Sequence, residues 1–252
     1  MKKGFGPLAE AFSLLTVLPM RRSGVQTQLS SAAMIPTLVW FPIVGAVVGA
    51  LSGVAILSAA GHWSASVASL FGLAAAALIT GGLHLDGFSD TMDGLGAWKG
   101  REETLRIMQD SRVGAIGAVG LILLLFLKWS LFQQAAMDFP IRILAAVCSL
   151  SRLSLVFSAQ FFPYVPGRMG MGSLVTDARS RKALIGACGL AAAIAFASVG
   201  FPFGAVSLAV TGLVAWGLNR FFVARLGGIT GDTLGALNEV VEVVLLLVLT
   251  SR

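Results

Sequence analysis

Charge is scarce in this chain. Only 30 of its 252 residues are Asp, Glu, Lys or Arg, 12% of the total, where a soluble globular domain carries about 25%. The apolar share is 56%. So few charges cannot cover the surface of a soluble domain of this length, and so much apolar content excludes a disordered or fibrous chain. No hydrophilic block is long enough for a second domain, so residues 1–252 read as a single membrane-embedded domain. Cysteine is nearly absent: Cys148 and Cys188 both lie in apolar runs and read as reduced packing residues. No phosphate-binding P-loop and no Ser-His-Asp or Cys-His nucleophile pattern occurs. The net charge of +6 comes from scattered basic residues rather than a basic face, which argues against a nucleic-acid partner and for a topology signal.

What is present is a series of long apolar runs. Residues 1–22 are too short in their apolar core, and lack a small-residue cleavage site, for a signal peptide. Phe5, Leu8, Phe12 and Leu15 recur at helical spacing and predict a helix lying on the membrane surface. About 20 apolar residues span a bilayer, and seven candidate spans follow: Met34–Ala60, Ala65–Leu83, Ala115–Met137, Ile141–Phe162, Ala183–Phe201, Phe203–Asn219 and Ile229–Thr250. The fifth and sixth are short enough to form a re-entrant pair instead. Gly45, Gly49 and Gly53 fall at i, i+4 and i+8, a stripe that invites a close helix neighbour. With the N-terminus in the cytoplasm, fourteen of the eighteen Lys and Arg residues fall on the cytoplasmic side, in residues 1–22, in loops 84–112 and 164–182, and at Arg220 and Arg225. The fold class is therefore all-α, a polytopic bundle of six or seven transmembrane helices with an N-terminal interfacial helix.

The acids are unevenly placed. Nine of the twelve lie in two short segments on that same side. In the first, Asp86, Asp90 and Asp93 stand at i, i+4 and i+7, which on a helix projects them at about 0°, 40° and −20°. Three carboxylates on one face repel, and near lipid each carries a penalty of about 2.5–3.5 kcal/mol. A divalent cation offsets both, and all-oxygen ligands suit Mg²⁺, which commonly joins one or two carboxylates to substrate phosphates. The alternative is a solvated polar helix end, which the apolar, glycine-rich flanks disfavour. In the second segment, Asp232, Glu239 and Glu242 share an arc of about 80° that also contains Gly235, and acids within a span default to functional status. A polar helix–helix contact is the competing reading.

Basic and neutral polar residues complete the candidate set. Asp110 or Ser111 is placed to cap the third span, leaving Arg112 for a phosphate at a helix N-terminus. Arg152, within a span, needs an anion, either a protein acid or a substrate phosphate. Lys128 reads as a snorkelling or paired residue. Residues 164–173 form a Gly-rich loop with Arg168, a phosphate-contacting lid or a plain connection. Asn238 adjoins Glu239. His84, two residues before Asp86, is a candidate base, a supporting partner or a hydrogen-bonded packing residue. Carboxylates, Mg²⁺ and arginines at a membrane face point to a metal-dependent transferase acting on a diphosphate substrate, with a carboxylate taking the proton of an attacking hydroxyl.

The runs TGGLHLDGFSDTMDGLG, LRIMQDSRVGAIG and GGITGDTLGALNEVVE, with FPIVGAVVGALSG and LTVLPMRR, resemble the cobalamin synthase (adenosylcobinamide-GDP ribazoletransferase) family, in order over nearly the whole chain. Tyr164–Lys182 matches only in character. The resemblance implies a multi-pass enzyme of the cell inner membrane with its site facing the cytoplasm. It implies a late step of cobalamin biosynthesis, in which adenosylcobinamide-GDP and α-ribazole or α-ribazole 5′-phosphate give adenosylcobalamin or its 5′-phosphate and GMP. It also implies Mg²⁺ as cofactor. On this reading a ribose hydroxyl attacks the phosphorus nearer the corrinoid. Asp86, Asp90 and Asp93 hold Mg²⁺ on the diphosphate. Asp232, Glu239 and Glu242 hold a second metal or orient the hydroxyl, with Glu239 and His84 among the catalytic candidates. Arg112, Arg152, Arg168, Asp110 and Asn238 contact substrate. Association with a second copy or with other cobalamin-assembly enzymes is left open.

Two other classes compete. Membrane prenyltransferases and CDP-alcohol phosphotransferases also carry Asp motifs at helix ends, but the +4, +3 spacing here and the absence of a DGxxAR element fit them poorly. A cation-coupled transporter would explain acids within spans, yet the two acidic segments show no repeat relationship.

Overall fold

The computed structural model describes residues 6–18, 31–168 and 170–251. Lys2, Lys3, Phe5, Arg21, Arg22 and Arg252 lie outside them, as does most of the sequence that links the N-terminal helix to the bundle. The described residues form twelve helices: α1 (Pro7–Leu15), α2 (Ser31–Leu38), α3 (Phe41–Ala60), α4 (Ala65–Thr80), α5 (Leu83–Gly96), α6 (Arg101–Ile107), α7 (Ala115–Ala136), α8 (Pro140–Phe161), α9 (Met171–Asp177), α10 (Arg181–Val199), α11 (Phe201–Leu226) and α12 (Gly231–Thr250). No strand occurs among the described residues; one isolated parallel bridge joins Tyr164 to Ile229.

Among the described residues six helices, α3, α7, α8, α10, α11 and α12, are long and apolar enough to cross a bilayer, and α4 with α5 meets the same test only as a pair bent by 89°. The chain is thus a polytopic helical membrane bundle. Large apolar side chains such as Leu123, Phe126, Ile185 and Leu213 face outward, as a lipid-facing surface requires. α8 and α12 are the most buried spans and form the centre.

Glycine sets the tightest contact. A methyl group on Gly45 or Gly49 would collide with the backbone carbonyls of Cys148 and Leu144, and one on Gly53 would stand 2.5 Å from the Cα of Ile141. The i, i+4, i+8 stripe therefore has a named partner, α8, against which α3 lies backbone to backbone. An alanine stripe, Ala183, Ala187, Ala191 and Ala195, buries the matching face of α10.

Three expectations change. The first span is not one helix from Met34. Pro42, in the first turn of α3, has no amide to bond the carbonyl four residues back, so α2 ends at Leu38 and α3 begins at Phe41. The fifth and sixth spans are full-length helices of 19 and 26 residues rather than a short re-entrant pair. Segments 84–112 and 164–182 are not simple loops, since they contain most of α5, all of α6 and α9, and the start of α10. The N-terminal helix exists, but it buries Ala11, Phe12 and Leu15 against the bundle, and Glu10 accepts a hydrogen bond from Thr37 at 3.1 Å.

Antiparallel spans with short connections bring α5, α6, α9 and their links to one end. Hydrogen bonds across that end tie it together: Arg225 donates to the Lys99 carbonyl at 3.0 Å, Arg179 to the Phe162 carbonyl at 2.9 Å, and Arg168 to the Leu105 carbonyl.

Candidate functional site

The site begins at a turn that only glycine makes easily. Gly81 and Gly82 both take left-handed backbone angles, φ +62° and +69°. The Gly81 amide donates back to the Leu78 carbonyl and that of Gly82 to the Ala77 carbonyl, so α4 ends and α5 leaves at 89°. α5 then crosses the start of α12 at two glycines. A methyl on Gly87 would lie 2.9 Å from the Asp232 carbonyl oxygen and 3.3 Å from the Cα of Gly235. This contact puts the first acidic segment beside Asp232.

Asp232 is fixed by a reciprocal cap at the head of α12. Thr230 Oγ1 accepts from the Thr233 amide at 3.2 Å, and Thr233 Oγ1 accepts from the Thr230 amide at 2.8 Å. The strand-like bridge holds the 162–168 segment alongside: the Val165 amide donates to the Ile229 carbonyl at 3.0 Å, and the Ile229 amide to the Pro163 carbonyl at 2.9 Å. Phe162, preceding Pro163, is extended, which ends α8 there.

These elements surround a cavity of about 590 Å³ whose polar wall includes His84, Asp86, Gln109, Tyr164, Arg168 and Asp232. Arg168 Nη1 stands 3.9 Å from Asp232 Oδ2 and is the one arginine on that wall among the described residues. Tyr164, the only tyrosine in the chain, is half-buried on this wall, and burial pushes its phenol up from the ordinary value. Tyr164, Gln109 and Thr230 were not singled out from sequence. The single tyrosine opening a Gly-rich segment is the available signal for the first, and the other two lie within the runs LRIMQDSRVGAIG and GGITGDTLGALNEVVE.

The structure divides the predicted acids into groups. Asp86, Asp232 and Asp93 all act electrostatically on half-buried Asp90, and Asp86 and Asp232 face the cavity. Asp93 is committed elsewhere: its carboxylate accepts from the amides of Gly114 and Gly117, both at 2.8 Å. It therefore caps α7, whose N-terminal amides otherwise lack partners. That corrects the cap expected from Asp110 or Ser111. Asp110 instead pairs with Arg112 at 2.6 Å on the surface, and this hydrogen-bonded guanidinium holds its carboxyl down at about 2. Neither residue lines the cavity.

Glu239 and Glu242 form a separate buried cluster. Lys128 Nζ stands 2.7 Å from each, and Arg152 pairs with Glu242. Asn238 Nδ2 donates to Glu242 at 3.2 Å and lies 3.4 Å from Glu239. All four charged residues are at most 4% exposed. Two anions meet two cations, so the cluster offers a metal no net negative charge. Arg152 has a protein acid as its anion rather than a substrate phosphate, and Lys128 is paired. His84 links the two regions: it lines the cavity, and its Nδ1 lies 3.4 Å from Arg152 Nη2.

Among the described residues, no three or more His, Cys, Asp or Glu side chains stand together as a ready metal cage. Mg²⁺ does not require one, because it keeps waters and binds through one or two carboxylates plus substrate phosphates. The donor chemistry of Asp86, Asp90 and Asp232 fits that ion: all-oxygen, like-charged and mutually repelling. Asp93, Glu239 and Glu242 do not fit it, since each already has cationic or amide partners.

Comparison with known proteins agrees in extent with the resemblance. The pattern of the cobalamin-5-phosphate synthase family matches residues 7–250. An adenosylcobinamide-GDP ribazoletransferase of Roseiflexus sp. (strain RS-1) is 35% identical over 246 residues, covering 98% of this chain and 90% of that one. One from Klebsiella pneumoniae subsp. pneumoniae is 36% identical over 84% of this chain and 87% of its own. One from Escherichia coli O17:K52:H18 is 32% identical over 94% and 96%. No solved structure matches. With the match running from the first turn of α1 to the last turn of α12, the chain belongs to the cobalamin-5-phosphate synthase family.

Proposed function

We propose that the chain joins adenosylcobinamide-GDP to α-ribazole or α-ribazole 5′-phosphate, giving adenosylcobalamin or its 5′-phosphate and GMP. The observation that carries this reading beyond the relatives' names is the cavity wall: two carboxylates, Asp86 and Asp232, and one arginine, Arg168, around a space of about 590 Å³ at a membrane-protein end. A diphosphate needs both charge types there, cationic groups for its oxygens and acids for the metal that accompanies it.

Asp86, Asp90 and Asp232 would hold Mg²⁺, which would supply charge neutralisation for a diphosphate and for the departing GMP. Arg168 binds a phosphate oxygen directly and breaks its pairing with Asp232 as it does so, freeing that acid. Tyr164 and Gln109 orient the substrate through their polar ends. One of the cavity carboxylates accepts the proton from the attacking ribose hydroxyl. Asp93 and the Lys128–Glu239–Glu242–Arg152 cluster position α7, α8 and α12 around the site and do not touch substrate. The site faces the cytoplasm of the inner membrane, because its end of the bundle carries Lys99, Arg101, Arg106, Arg168, Arg179, Arg181 and Arg225.

Membranes containing the protein, supplied with adenosylcobinamide-GDP, α-ribazole and Mg²⁺, should release GMP and a cobamide with its lower ligand attached, both resolved by chromatography. Intact substrates after prolonged incubation would overturn the assignment.

A further inference from the structure

His84 is one of only two histidines in the chain. It is 5% exposed and lines the large cavity. Its Nδ1 lies 3.4 Å from Arg152 Nη2. A guanidinium offers five N–H donors and no acceptor. Nδ1 is therefore the bare, accepting nitrogen of that contact, and a neutral imidazole then carries its one proton on Nε2.

Both sides of the contact are held in place. Arg152 pairs with Glu242 and donates from Nη1 to Ser151 Oγ at 2.9 Å. Gly45 leaves room for its stem, since a methyl there would stand 3.0 Å from Arg152 Cδ. His84 follows the left-handed turn at Gly81 and Gly82. α12 backs onto it at Gly235, where a methyl would lie 3.3 Å from His84 Cα. The other ring nitrogen, Nε2, has no hydrogen-bond partner among the described residues. The fully enclosed polar atoms without a partner include Arg152 Nε and Asn238 Oδ1 but not His84 Nε2. Nε2 thus keeps an open side, and the large cavity is the space that His84 lines.

We propose that His84 donates its Nε2–H to a non-bridging phosphate oxygen of the diphosphate in this cavity, and that Arg152 acts through His84 by fixing the tautomer that makes it a donor. The inference rests on the function proposed above. It goes beyond it by making the imidazole a neutral donor rather than a base, and by linking the buried ion-pair cluster to the chemistry. The choice of acceptor follows from the wall. Asp86 and Asp232 supply carboxylate acceptors there, which a ribose hydroxyl can satisfy by donating. An unprotonated phosphate oxygen can only accept, so it is the group that needs a donor, and a fixed N–H next to Asp86 and Gly235 provides one that requires no reorganisation as charge develops.

The test separates the two ring positions. His84→Asn keeps an acceptor where Nδ1 stands and removes the donor of Nε2. His84→Gln reaches an N–H to the Nε2 position. With the purified full chain in detergent, His84→Asn should lower kcat about tenfold or more while moving KM for α-ribazole less than about twofold, and His84→Gln should recover at least about threefold of the loss. A residue that only packs would cost activity in step with folded protein in both variants. Equal losses in the two, or wild-type turnover in His84→Asn, overturns the donor role.

The tautomer itself is open to NMR. His62→Gln leaves His84 as the single histidine, and isotope-labelled imidazole nitrogens give distinct signals when bare and when protonated. Nδ1 should be bare and Nε2 protonated. Inorganic pyrophosphate with Mg²⁺ should move the Nε2 signal, whereas α-ribazole alone should not. Arg152→Met combined with Glu242→Gln removes one charge of each sign and should give a mixture of tautomers in a chain that still unfolds cooperatively. A proton on Nδ1, or an Nε2 signal that pyrophosphate leaves in place, overturns the proposal; one unchanged tautomer in the double variant removes Arg152 from it. A wild-type chain that forms no product from its two substrates overturns the proposed reaction, while the tautomer and the pyrophosphate response still decide the donor.

Discussion

Gly87 of α5 and Gly235 of α12 meet with no side chain between them: a methyl on Gly235 would stand 3.2 Å from the Cα of Gly87 and 3.1 Å from the His84 carbonyl oxygen. The crossing sets the distance between Asp86 and Asp232, which sit one residue before Gly87 and three before Gly235. Gly87→Ala should therefore act on chemistry as well as on packing. Overpacking of this kind destabilises by about 1–3 kcal/mol. We expect kcat/KM to fall about tenfold or more, beyond what the loss of folded protein at the assay temperature explains. Thermal unfolding and steady-state kinetics on the same sample separate the two. A loss of activity that merely tracks unfolding would reduce the glycine pair to a packing device.

The acids of α5 should separate by role. Asp90→Asn and Asp86→Asn should lower kcat by about a hundredfold or more and shift the Mg²⁺ dependence to higher concentration. Asp93→Asn weakens the cap on α7, a change of about 0.5–2 kcal/mol, and should lower thermal stability while leaving the half-saturating Mg²⁺ unchanged. Mg²⁺ titrations of the three variants decide; an Asp93→Asn curve displaced like the other two would return Asp93 to the metal.

The buried quartet should behave as a balanced unit. Lys128→Met leaves an uncompensated carboxylate among Glu239, Glu242 and Arg152, a loss of about 3–5 kcal/mol. Lys128→Met with Glu239→Gln removes one charge of each sign and should recover much of it. A double-mutant cycle by thermal or denaturant unfolding in detergent measures the coupling. Additive losses would show that the pairing contributes little.

Arg168→Ala should raise KM for the diphosphate substrate about tenfold or more, with a smaller change for α-ribazole. Arg168→Lys keeps the charge but not the forked donor and should recover only part of the loss. Initial-rate kinetics with each substrate varied in turn provide the measurement, and an unchanged donor KM in Arg168→Ala would remove the arginine from the diphosphate.

Orientation is open to direct labelling. With Cys148 and Cys188 replaced by Ala, a cysteine at Trp98, 86% exposed beside α6, should react with an impermeant maleimide only from the cytoplasmic side. One at Trp63, in the α3–α4 turn, should react only from the opposite side. Labelling of both from one side would make the bent α4–α5 pair a re-entrant element rather than a crossing.

How much of this was legible beforehand depended on sequence separation. The Gly45–Gly49–Gly53 stripe could be read because its signal is periodic within one helix, and the acidic segments could be read because charge is so rare around them. The break at Leu38 was also legible in principle, since Pro42 forbids the hydrogen bond that would continue the helix. What could not be read were partners far apart in the chain. Asp93 finds amides 21 and 24 residues away, and Lys128 finds carboxylates 111 and 114 residues away. An isolated i, i+4, i+7 pattern gives a common face but not what stands opposite each member. Asp93 shares the arc of Asp86 and Asp90 yet meets the end of α7, and Glu239 shares that of Asp232 yet meets a lysine two turns deeper.

The charge balance of the quartet reaches beyond its own stability. Two positive and two negative side chains held within hydrogen-bonding distance cancel one another at long range, so the field they project falls away much faster than that of a lone ion. The centre of the bundle is thereby electrically quiet. At the mouth above it, the potential is governed by Asp86, Asp90, Asp232 and Arg168. On the proposed reading, a cation and a diphosphate would come and go there without each arrival being felt as a new load on the packed interior.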